Sequence, residues 1–322
     1  MTLRRKSQLG VASVIVLVGL CAALLSFGRL LWTPSVGPAE PISIPLALSV
    51  PEPVVELPRI RKLGDLPTPR VRAEAAIVYN PTTREILWES NGLEVRPIAS
   101  ITKVMTALVF LGQKPDLSRD VVISRSDVRR ASTTYLRRGE RITLRNLLHL
   151  ALIASDNSAA RALARVSPWG TVGFIEEMNL KAEKIGLENT TFIDPSGLDE
   201  RNVSTAYDLS RLIAYATDQP QIASTMRKKS YRMRTSRRRL TVRNTNRLLL
   251  GSLVVYGGKT GYIDESGYCL AAVVKLPGSD SLSVVVLGAR SNAGRFAEVR
   301  RLVNWVSTHK RALVVPGAYR AD

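Results

Sequence analysis

Segments with strand character stand at both ends of the folded part of this chain, and this order restricts the folds that it can adopt. Residues 75–79 and 85–88 are short apolar runs, and the turn sequence at residues 80–83 between them predicts a hairpin. Three further runs near the C-terminal end are rich in β-branched residues, at residues 253–256, 269–276 and 282–287.

The stretch between these strands has helical periodicity. Thr205 is a plausible N-terminal cap, and Gly186 fits a helix stop. Helices are predicted at residues 100–109, 144–153, 159–166, 174–185 and 205–217, and a last one at residues 295–307. We therefore predict an α/β (α+β) fold, in which a mixed sheet assembled from both ends of the chain is flanked by helices and carries an inserted all-helical lobe.

The N-terminal residues resemble a membrane-targeting segment. Arg4, Arg5 and Lys6 precede an uncharged apolar run from Leu9 to Phe27. This run is long enough to span a bilayer, is long for a cleaved signal peptide, and has no convincing small-residue cleavage site after it. We predict an uncleaved signal anchor at residues 1–32, with a cleaved signal as the alternative. The basic residues would keep the N-terminus in the cytoplasm and place the rest of the chain in the periplasm or outside the cell.

A proline-rich stretch separates this segment from the folded part. More than half of the chain's 17 prolines fall between Pro34 and Pro69. Proline-rich segments form semi-extended spacers, so residues 33–70 are predicted to be a tether or a plain linker. Residues 71–322 are predicted to be one catalytic domain.

The residue inventory excludes several kinds of chemistry. The 322-residue chain has two cysteines, Cys21 and Cys269, and two histidines, His149 and His309. A zinc cluster cannot be built from this set, and neither histidine lies in a catalytic-looking context. No metal or cofactor is expected, and a Ser-His-Asp triad is improbable.

A serine and a lysine three residues apart offer another way to activate a nucleophile. Ser100 and Lys103 follow Pro97 at a predicted helix start, so both side chains project from one helix face. A serine hydroxyl is a poor nucleophile until a base takes its proton, and a desolvated lysine can be that base. Alone, this short motif is more often a helix start with a solvated lysine.

Two further triplets favour the catalytic interpretation of Ser100 and Lys103. Ser155-Asp156-Asn157 follows an apolar helix, and Lys259-Thr260-Gly261 closes a predicted strand. The motifs S-x-x-K, S-D-N and K-T-G occur together, in this order, in β-lactamases and penicillin-binding proteins. The three together are a strong signal for a β-lactamase/transpeptidase-like fold.

From about Ala75 to Trp305 the chain resembles the low-molecular-mass penicillin-binding proteins, the serine D-alanyl-D-alanine carboxypeptidases and endopeptidases. Residues 191–198, 203–209 and 244–249 resemble further segments of that family. The chain stops soon after its last helix, whereas the carboxypeptidase branch usually carries a second, β-rich domain. The resemblance therefore favours the endopeptidase-like branch. It implies peptidoglycan stem peptides as substrates and β-lactams as covalent inhibitors.

The resemblance also implies a role for each motif residue. Ser100 would be acylated and Lys103 would be its base, Ser155 would relay a proton to the leaving amine, and Asn157 would orient Lys103 and the substrate amide. Asp156 is either functional or only a turn former.

The third motif would bind the substrate. Lys259 and Thr260 would hold its terminal carboxylate, and the charge of Lys259 would favour the neutral form of Lys103. The N–H groups of Ser100 and Tyr262 would form the oxyanion hole, and Gly261 would allow close approach to the substrate.

Two other functions remain open at this point. A class A β-lactamase shares the triplets but needs a glutamate that activates the deacylating water, for which Glu176 and Glu177 are poor candidates. A catalytically idle cell-wall binding protein would have the same fold without the activity.

The chain has a formal net charge of +19, and its basic residues are concentrated between Arg227 and Arg247. Tyr231 and Met233 alternate with arginines there, as in a hairpin with one solvent-exposed face. This segment is either a solvated hairpin or a contact for anionic wall or lipid groups. A nucleic-acid partner would not account for the export signal, so none is expected.

Overall fold

The computed structural model describes residues 59–60, 66–276, 281–309 and 313. All of them belong to one compact unit, Val55–Asp322. The predicted anchor and most of the predicted linker lie outside the described residues. Within those residues, no helix has both the length and the apolar character that crossing a bilayer requires.

The strands and helices follow the predicted order. The described strands are β1 (Arg59–Ile60), β2 (Ala75–Asn80), β3 (Glu85–Ser90), β4 (Arg96–Pro97), β5 (Asp120–Val122), β6 (Arg141–Thr143), β7 (Val203–Ser204), β8 (Ser230–Arg234), β9 (Arg239–Arg243), β10 (Val254–Ile263), β11 (Gly267–Lys275) and β12 (Ser281–Ala289). The described α-helices are α1 (Lys103–Gly112), α2 (Arg125–Val128), α3 (Leu144–Ile153), α4 (Asn157–Arg165), α5 (Gly170–Lys184), α6 (Ala206–Thr217), α7 (Pro220–Met226) and α8 (Asn292–Thr308).

A six-stranded sheet with the order β1-β3-β2-β12-β11-β10 forms the centre of the domain. β2 and β3 are the predicted hairpin. β12 pairs antiparallel with β2, with Val285 opposite Ile77, so the two ends of the chain share one sheet. β1 is parallel to β3, and the sheet is therefore mixed. The predicted fold class is confirmed.

Apolar cores lie on both faces of this sheet. Successive strand side chains point to opposite faces, so Ile77 joins the core shared with the helical lobe and Val78 joins the core beneath α8. A strand that is covered on both faces is apolar along its whole length, and residues 75–79 have this pattern.

Two local predictions were wrong. Ser100 lies in a 3₁₀ helix, Ala99–Thr102, and not in the first turn of α1. The K-T-G triplet lies inside β10 and does not close a strand. The glycines of β10 disfavour a strand. Pairing with β11, with Thr260 opposite Leu270, nevertheless keeps this segment in the sheet.

The C-terminal part of the predicted linker contacts the domain. Trp305 Nε1 donates a hydrogen bond of 2.7 Å to the Pro67 carbonyl, and Arg301 donates one of 2.9 Å to the Arg70 carbonyl. Leu66 packs against the core beneath α8. The folded part therefore includes residues before the predicted boundary at residue 71.

Candidate active site

Three chain segments meet at one cleft of about 450 Å³. They are the 3₁₀ helix with Ser100, the turn between α3 and α4, and β10. Six of the predicted site residues line the cleft: Ser100, Ser155, Asn157, Thr260, Gly261 and Tyr262. The two predicted lysines, Lys103 and Lys259, are buried within hydrogen-bond distance of the cleft serines.

The Lys103 ammonium is surrounded by three acceptors. Its Nζ lies 2.8 Å from Ser100 Oγ, 2.6 Å from Asn157 Oδ1 and 2.5 Å from the Ser196 carbonyl oxygen. A neutral amine keeps two N–H bonds, which suffice for Asn157 and Ser196. Its lone pair is then free to accept the proton of Ser100.

Burial lowers the pKa of Lys103 to about 7, although the carboxylates of Asp194 and Asp156 act in the opposite direction. A substantial fraction of the amine is therefore neutral near pH 7. The sequence predicted that both desolvation and the charge of Lys259 would favour the neutral amine; desolvation is the main cause, and the cation that adds to it is Arg161 and not Lys259.

Lys259 lies across the cleft and is also buried. Its Nζ donates to Ser155 Oγ at 2.7 Å and to the Thr260 carbonyl at 2.9 Å. Burial first, and then the charges of Lys103 and Arg295, hold the pKa of Lys259 well below its usual value. Ser155 has the left-handed backbone angle φ of 59°, which is uncommon outside glycine.

Asp156 and Asn157, which follow Ser155, make different contacts. Asn157 uses its oxygen for Lys103 and donates from Nδ2 to the Ala131 carbonyl at 2.7 Å, which fixes the orientation of its amide. Asp156 is buried and accepts from the N–H groups of Ala159 and Tyr135. Asp156 therefore caps α4 and anchors the loop before it, and its charge also acts to raise the pKa of Lys103.

The sequence did not identify the turn that supports Lys103. The Asp194 carboxylate accepts from the N–H groups of Ser196, Gly197 and Asp199, and the turn presents the Ser196 carbonyl to Lys103. Gly197 has a φ of 78°, and a Cβ there would lie 2.0 Å from the Ala99 carbonyl oxygen. The Asp-Pro-Ser-Gly sequence was the available signal for this turn.

Arg295 and Thr245 are two further cleft residues that the sequence missed. Arg295, on α8, donates to the Gly261 carbonyl at 2.8 Å, and burial lowers its pKa to about 10. The Thr245 hydroxyl accepts from Thr260 Oγ1 at 2.6 Å. Arg295 belongs to no motif, and Thr245 lies in the family-like segment 244–249, for which the sequence predicted no role in the site; the fold brings both residues to the cleft.

Gly261 allows a close approach, but to protein and not only to substrate. A Cβ at this position would lie 2.8 Å from the Ile98 carbonyl oxygen and 3.2 Å from the Ser100 nitrogen. β10 can therefore pack directly against the 3₁₀ helix. The oxyanion hole made by Ser100 and Tyr262 stays a prediction.

The β-lactamase alternative requires a glutamate at the cleft that activates the deacylating water. Glu176 and Glu177 lie on α5 and are not among the described residues that line the cleft. Asp264 and Glu265, in the turn after β10, do line it. Neither was considered from the sequence.

The sheet, the helical lobe and the Ser–Lys site together define a serine peptidase of the penicillin-binding class. Residues 65–291 match the peptidase S11 family, described as D-alanyl-D-alanine carboxypeptidase. The chain belongs to this family.

Proteins that are similar to this chain include D-alanyl-D-alanine endopeptidases and a DD-transpeptidase. A D-alanyl-D-alanine endopeptidase of Pseudomonas aeruginosa is 35% identical over 286 residues, which cover 87% of this chain and 89% of that protein. An Escherichia coli D-alanyl-D-alanine endopeptidase is 32% identical, over 86% of this chain and 90% of that protein. The crystal structure of the Streptomyces K15 DD-transpeptidase matches with a TM-score of 0.70 and 28% identity, over 74% of this chain and 98% of that one.

Proposed function

We propose that the protein cleaves D-alanyl amide bonds of peptidoglycan stem peptides through an acyl-enzyme on Ser100. The observation that carries this proposal is the contact between Ser100 Oγ and the buried amine of Lys103, whose pKa lies near neutrality. This pair makes a nucleophile and its base available together at physiological pH.

The reaction follows from these contacts. The neutral Lys103 amine takes the Ser100 proton while Oγ attacks the carbonyl carbon of the scissile amide, which forms a tetrahedral oxyanion. Collapse breaks the C–N bond, and the proton that Lys103 took passes to the leaving amine through the hydroxyl of Ser155, whose Oγ contacts Lys259. Water then attacks the Ser100 ester, and the released acid leaves Ser100 with its proton restored.

Positive charge at one end of the cleft supports recognition of a carboxylate. Lys259 and Thr260 lie side by side on β10, and Arg295 lines the same cleft. These groups would bind the carboxylate next to the scissile bond, or the acid of a β-lactam, whose strained amide would acylate Ser100 in the same way.

We favour the endopeptidase activity over the carboxypeptidase activity. The Pseudomonas aeruginosa and Escherichia coli endopeptidases match 87% and 86% of this chain. An Escherichia coli carboxypeptidase matches 74% of this chain and only 62% of its own length. The substrate would then be a cross-linked peptide dimer.

The test combines labelling of the full chain by a fluorescent penicillin, measured by intact mass, with digestion of purified muropeptides. We expect a slowly cleared adduct on wild type, none on Ser100→Ala, and a normal adduct on the exposed control Ser224→Ala. Loss of cross-linked dimers would identify an endopeptidase, and loss of terminal D-alanine a carboxypeptidase. Rapid penicillin turnover without muropeptide change would indicate a β-lactamase, and the absence of both adduct and cleavage would indicate a binding protein.

We further propose that residues 1–32 anchor the chain in the cytoplasmic membrane, with the catalytic domain on the outer side. The basic residues before the apolar run from Leu9 to Phe27 support this orientation. Membrane fractionation followed by a carbonate wash tests it. Retention of the full-length mass in the membrane is expected, and release of a shortened chain would support a cleaved signal.

Contact with anionic wall or lipid groups through the segment from Arg227 to Arg247 is also proposed. β8 and β9 form the predicted hairpin, with Arg232 and Arg239 exposed. Arg238 does not belong to this surface, because it forms an ion pair of 2.8 Å with the buried Glu140. Charge reversal at Arg232 and Arg239 should weaken sedimentation with isolated walls or anionic vesicles. Unchanged sedimentation would favour a merely solvated hairpin.

A further inference from the structure

A second cavity of about 350 Å³ lies beside the active-site cleft, and Thr245 and Arg295 line both. We call it the basic pocket, and its other charged residues are Lys229, Arg243 and Arg247. It lies where the end of β9 and the turn after it approach the first turn of α8. A ligand that fills the cleft past Thr245 would enter it.

The charge of the basic pocket is of one sign. Of the described residues that line it, four are cationic and none is a carboxylate. Arg243 and Arg247 are solvent-exposed, and no ion pair within the described residues uses either of them. Cations gathered around one cavity repel one another, and an anion bound among them would reduce that repulsion.

Two residues of the basic pocket are buried, and each has one nitrogen without a partner among the described residues. Asn246 is 1% exposed and Arg295 is 6% exposed, and Asn246 Nδ2 and Arg295 Nε have no partner among the described residues. Buried donors are nearly always paired in folded proteins. Both nitrogens are enclosed by protein and are not open to the pocket, so the hydrogen bonds to a bound anion would come from the exposed cations Arg243 and Arg247.

The place of the basic pocket along the substrate follows from the cleft. Lys259, Thr260 and Arg295 would bind the carboxylate next to the scissile amide, on the leaving side. When the leaving group is a single D-alanine, the substrate ends at that carboxylate. When the leaving amine belongs to a cross-linked dimer, a second stem peptide continues beyond it, and Thr245 and Arg295 lead into the basic pocket.

We propose that the basic pocket binds a carboxylate of the second stem peptide, the leaving strand of a cross-linked substrate. This inference rests on the proposed function and deepens it. Arg243 and Arg247 would supply charge-assisted hydrogen bonds to that carboxylate, and the basic pocket would thereby favour cross-linked dimers over peptides that end in D-alanyl-D-alanine.

The experiment uses the full chain and three substrates: a cross-linked muropeptide dimer, a pentapeptide and a fluorescent penicillin. The double variant Arg243→Gln/Arg247→Gln removes two cations of the basic pocket. The control Arg72→Gln/Arg300→Gln removes the same charge from two exposed arginines that lie outside both the basic pocket and the segment from Arg227 to Arg247. Thermal melting of both variants shows that they are folded.

We expect kcat/KM for the dimer to fall about tenfold in the pocket variant, mainly through KM, because two charge-assisted contacts are lost. Pentapeptide cleavage and penicillin labelling should change by less than about twofold, since neither ligand extends past the first carboxylate. The control should match wild type on all three. A dimer that keeps the carboxylate next to the scissile amide but has the other leaving-strand carboxylates amidated should be cleaved at the same reduced rate by wild type and by the pocket variant.

Other outcomes overturn the proposal in distinguishable ways. Equal dimer cleavage by the pocket variant and the control, with penicillin labelling intact, would refute the subsite and leave the proposed function standing. Equal losses on all three substrates would mean that the pocket does not discriminate between them. Wild-type protein that neither takes up penicillin nor cleaves any peptide would refute both.

Discussion

At the scale of single residues, the site depends on two lysines that the fold removes from water. An ammonium group is costly to bury, so burial shifts both lysines towards their neutral forms. Lys103 keeps acceptors on three sides, and Lys259 has the hydroxyl of Ser155 and one carbonyl. A substrate carboxylate beside Lys259 would favour the charged form of that lysine and leave Lys103 as the base.

The rate of Ser100 acylation should therefore rise with pH through about 7, the value to which burial lowers the pKa of Lys103. Only the neutral amine takes the serine proton, so the rate is low below this pKa and levels off above it. Second-order rate constants for penicillin labelling between about pH 5 and about pH 9 measure the profile. Lys103→Arg should abolish labelling, since a guanidinium keeps its proton. A rate independent of pH would contradict the assignment of the base.

Gly197 is the residue at which one added methyl group should do most harm. Its left-handed φ and the 2.0 Å approach to the Ala99 carbonyl would force the 3₁₀ helix to move. We expect Gly197→Ala to lower the free energy of unfolding by about 3 kcal/mol and to slow penicillin labelling.

Urea unfolding and labelling kinetics check this prediction. Gly112→Ala is the matched control, because nothing lies within 4 Å of the added Cβ at the end of α1. Its stability should stay within about 1 kcal/mol of wild type. Equal behaviour of the two variants would show that the turn at Gly197 tolerates a side chain.

At the scale of elements, the β8–β9 hairpin is part of the active-site support. The Ser236 N–H donates to the Arg141 carbonyl at 2.9 Å, so the hairpin tip packs against β6. Arg238 binds Glu140 and the Tyr135 carbonyl, and the Tyr135 N–H in turn donates to Asp156. The basic run, for which the sequence left open a solvated hairpin or a contact for anionic groups, is thus connected to the Ser155 turn through Arg238.

Arg238→Gln should lower the free energy of unfolding by about 2 kcal/mol, because it leaves the Glu140 carboxylate buried without its cation. Burial alone would raise the pKa of Glu140, but hydrogen bonds from Arg238 and the Arg137 N–H outweigh it and lower the pKa. The contribution is therefore present above the unfolded-state pKa and is lost as pH falls through the folded-state value.

Urea unfolding of wild type and variant should thus differ most at neutral pH and converge in acid. Arg239→Gln, an exposed neighbour on the same hairpin, should stay within about 0.5 kcal/mol of wild type at every pH. A difference that did not shrink in acid would argue against the ion pair as its source.

At the scale of the whole molecule, the sheet joins distant parts of the chain. β2 and β12 pair across its centre, and the segment before β2 returns to α8 through Pro67 and Arg70. The active site lies where the helical lobe meets the edge strand β10, so its geometry depends on the packing of the sheet as a unit.

A chain that begins at Val71 should be less stable than one that begins at Leu66, by about 2 kcal/mol, because two hydrogen bonds and the contact of Leu66 are lost. Penicillin labelling rates should be equal, since neither contact touches the cleft. Calorimetric melting of both chains measures the difference. Equal melting temperatures would show that residues 66–70 add nothing to the domain.

The sequence by itself determined the types and the order of the main elements, and it predicted the nucleophile with its base. Periodicity predicted α3 over residues 144–153, and three short motifs identified the serine-peptidase class. These signals arise from near neighbours in the chain. Strand pairing through Thr260 was missed because it depends on a partner strand and not on local propensity.

Only the tertiary structure decided how the site is tuned. The Ser196 carbonyl lies 93 positions from Lys103 in the chain, yet it holds the amine at 2.5 Å. Arg295 reaches the cleft from the last helix. The pKa of Lys103 depends on how completely the fold excludes water, and burial is a property of packed, chain-distant segments that no short motif encodes.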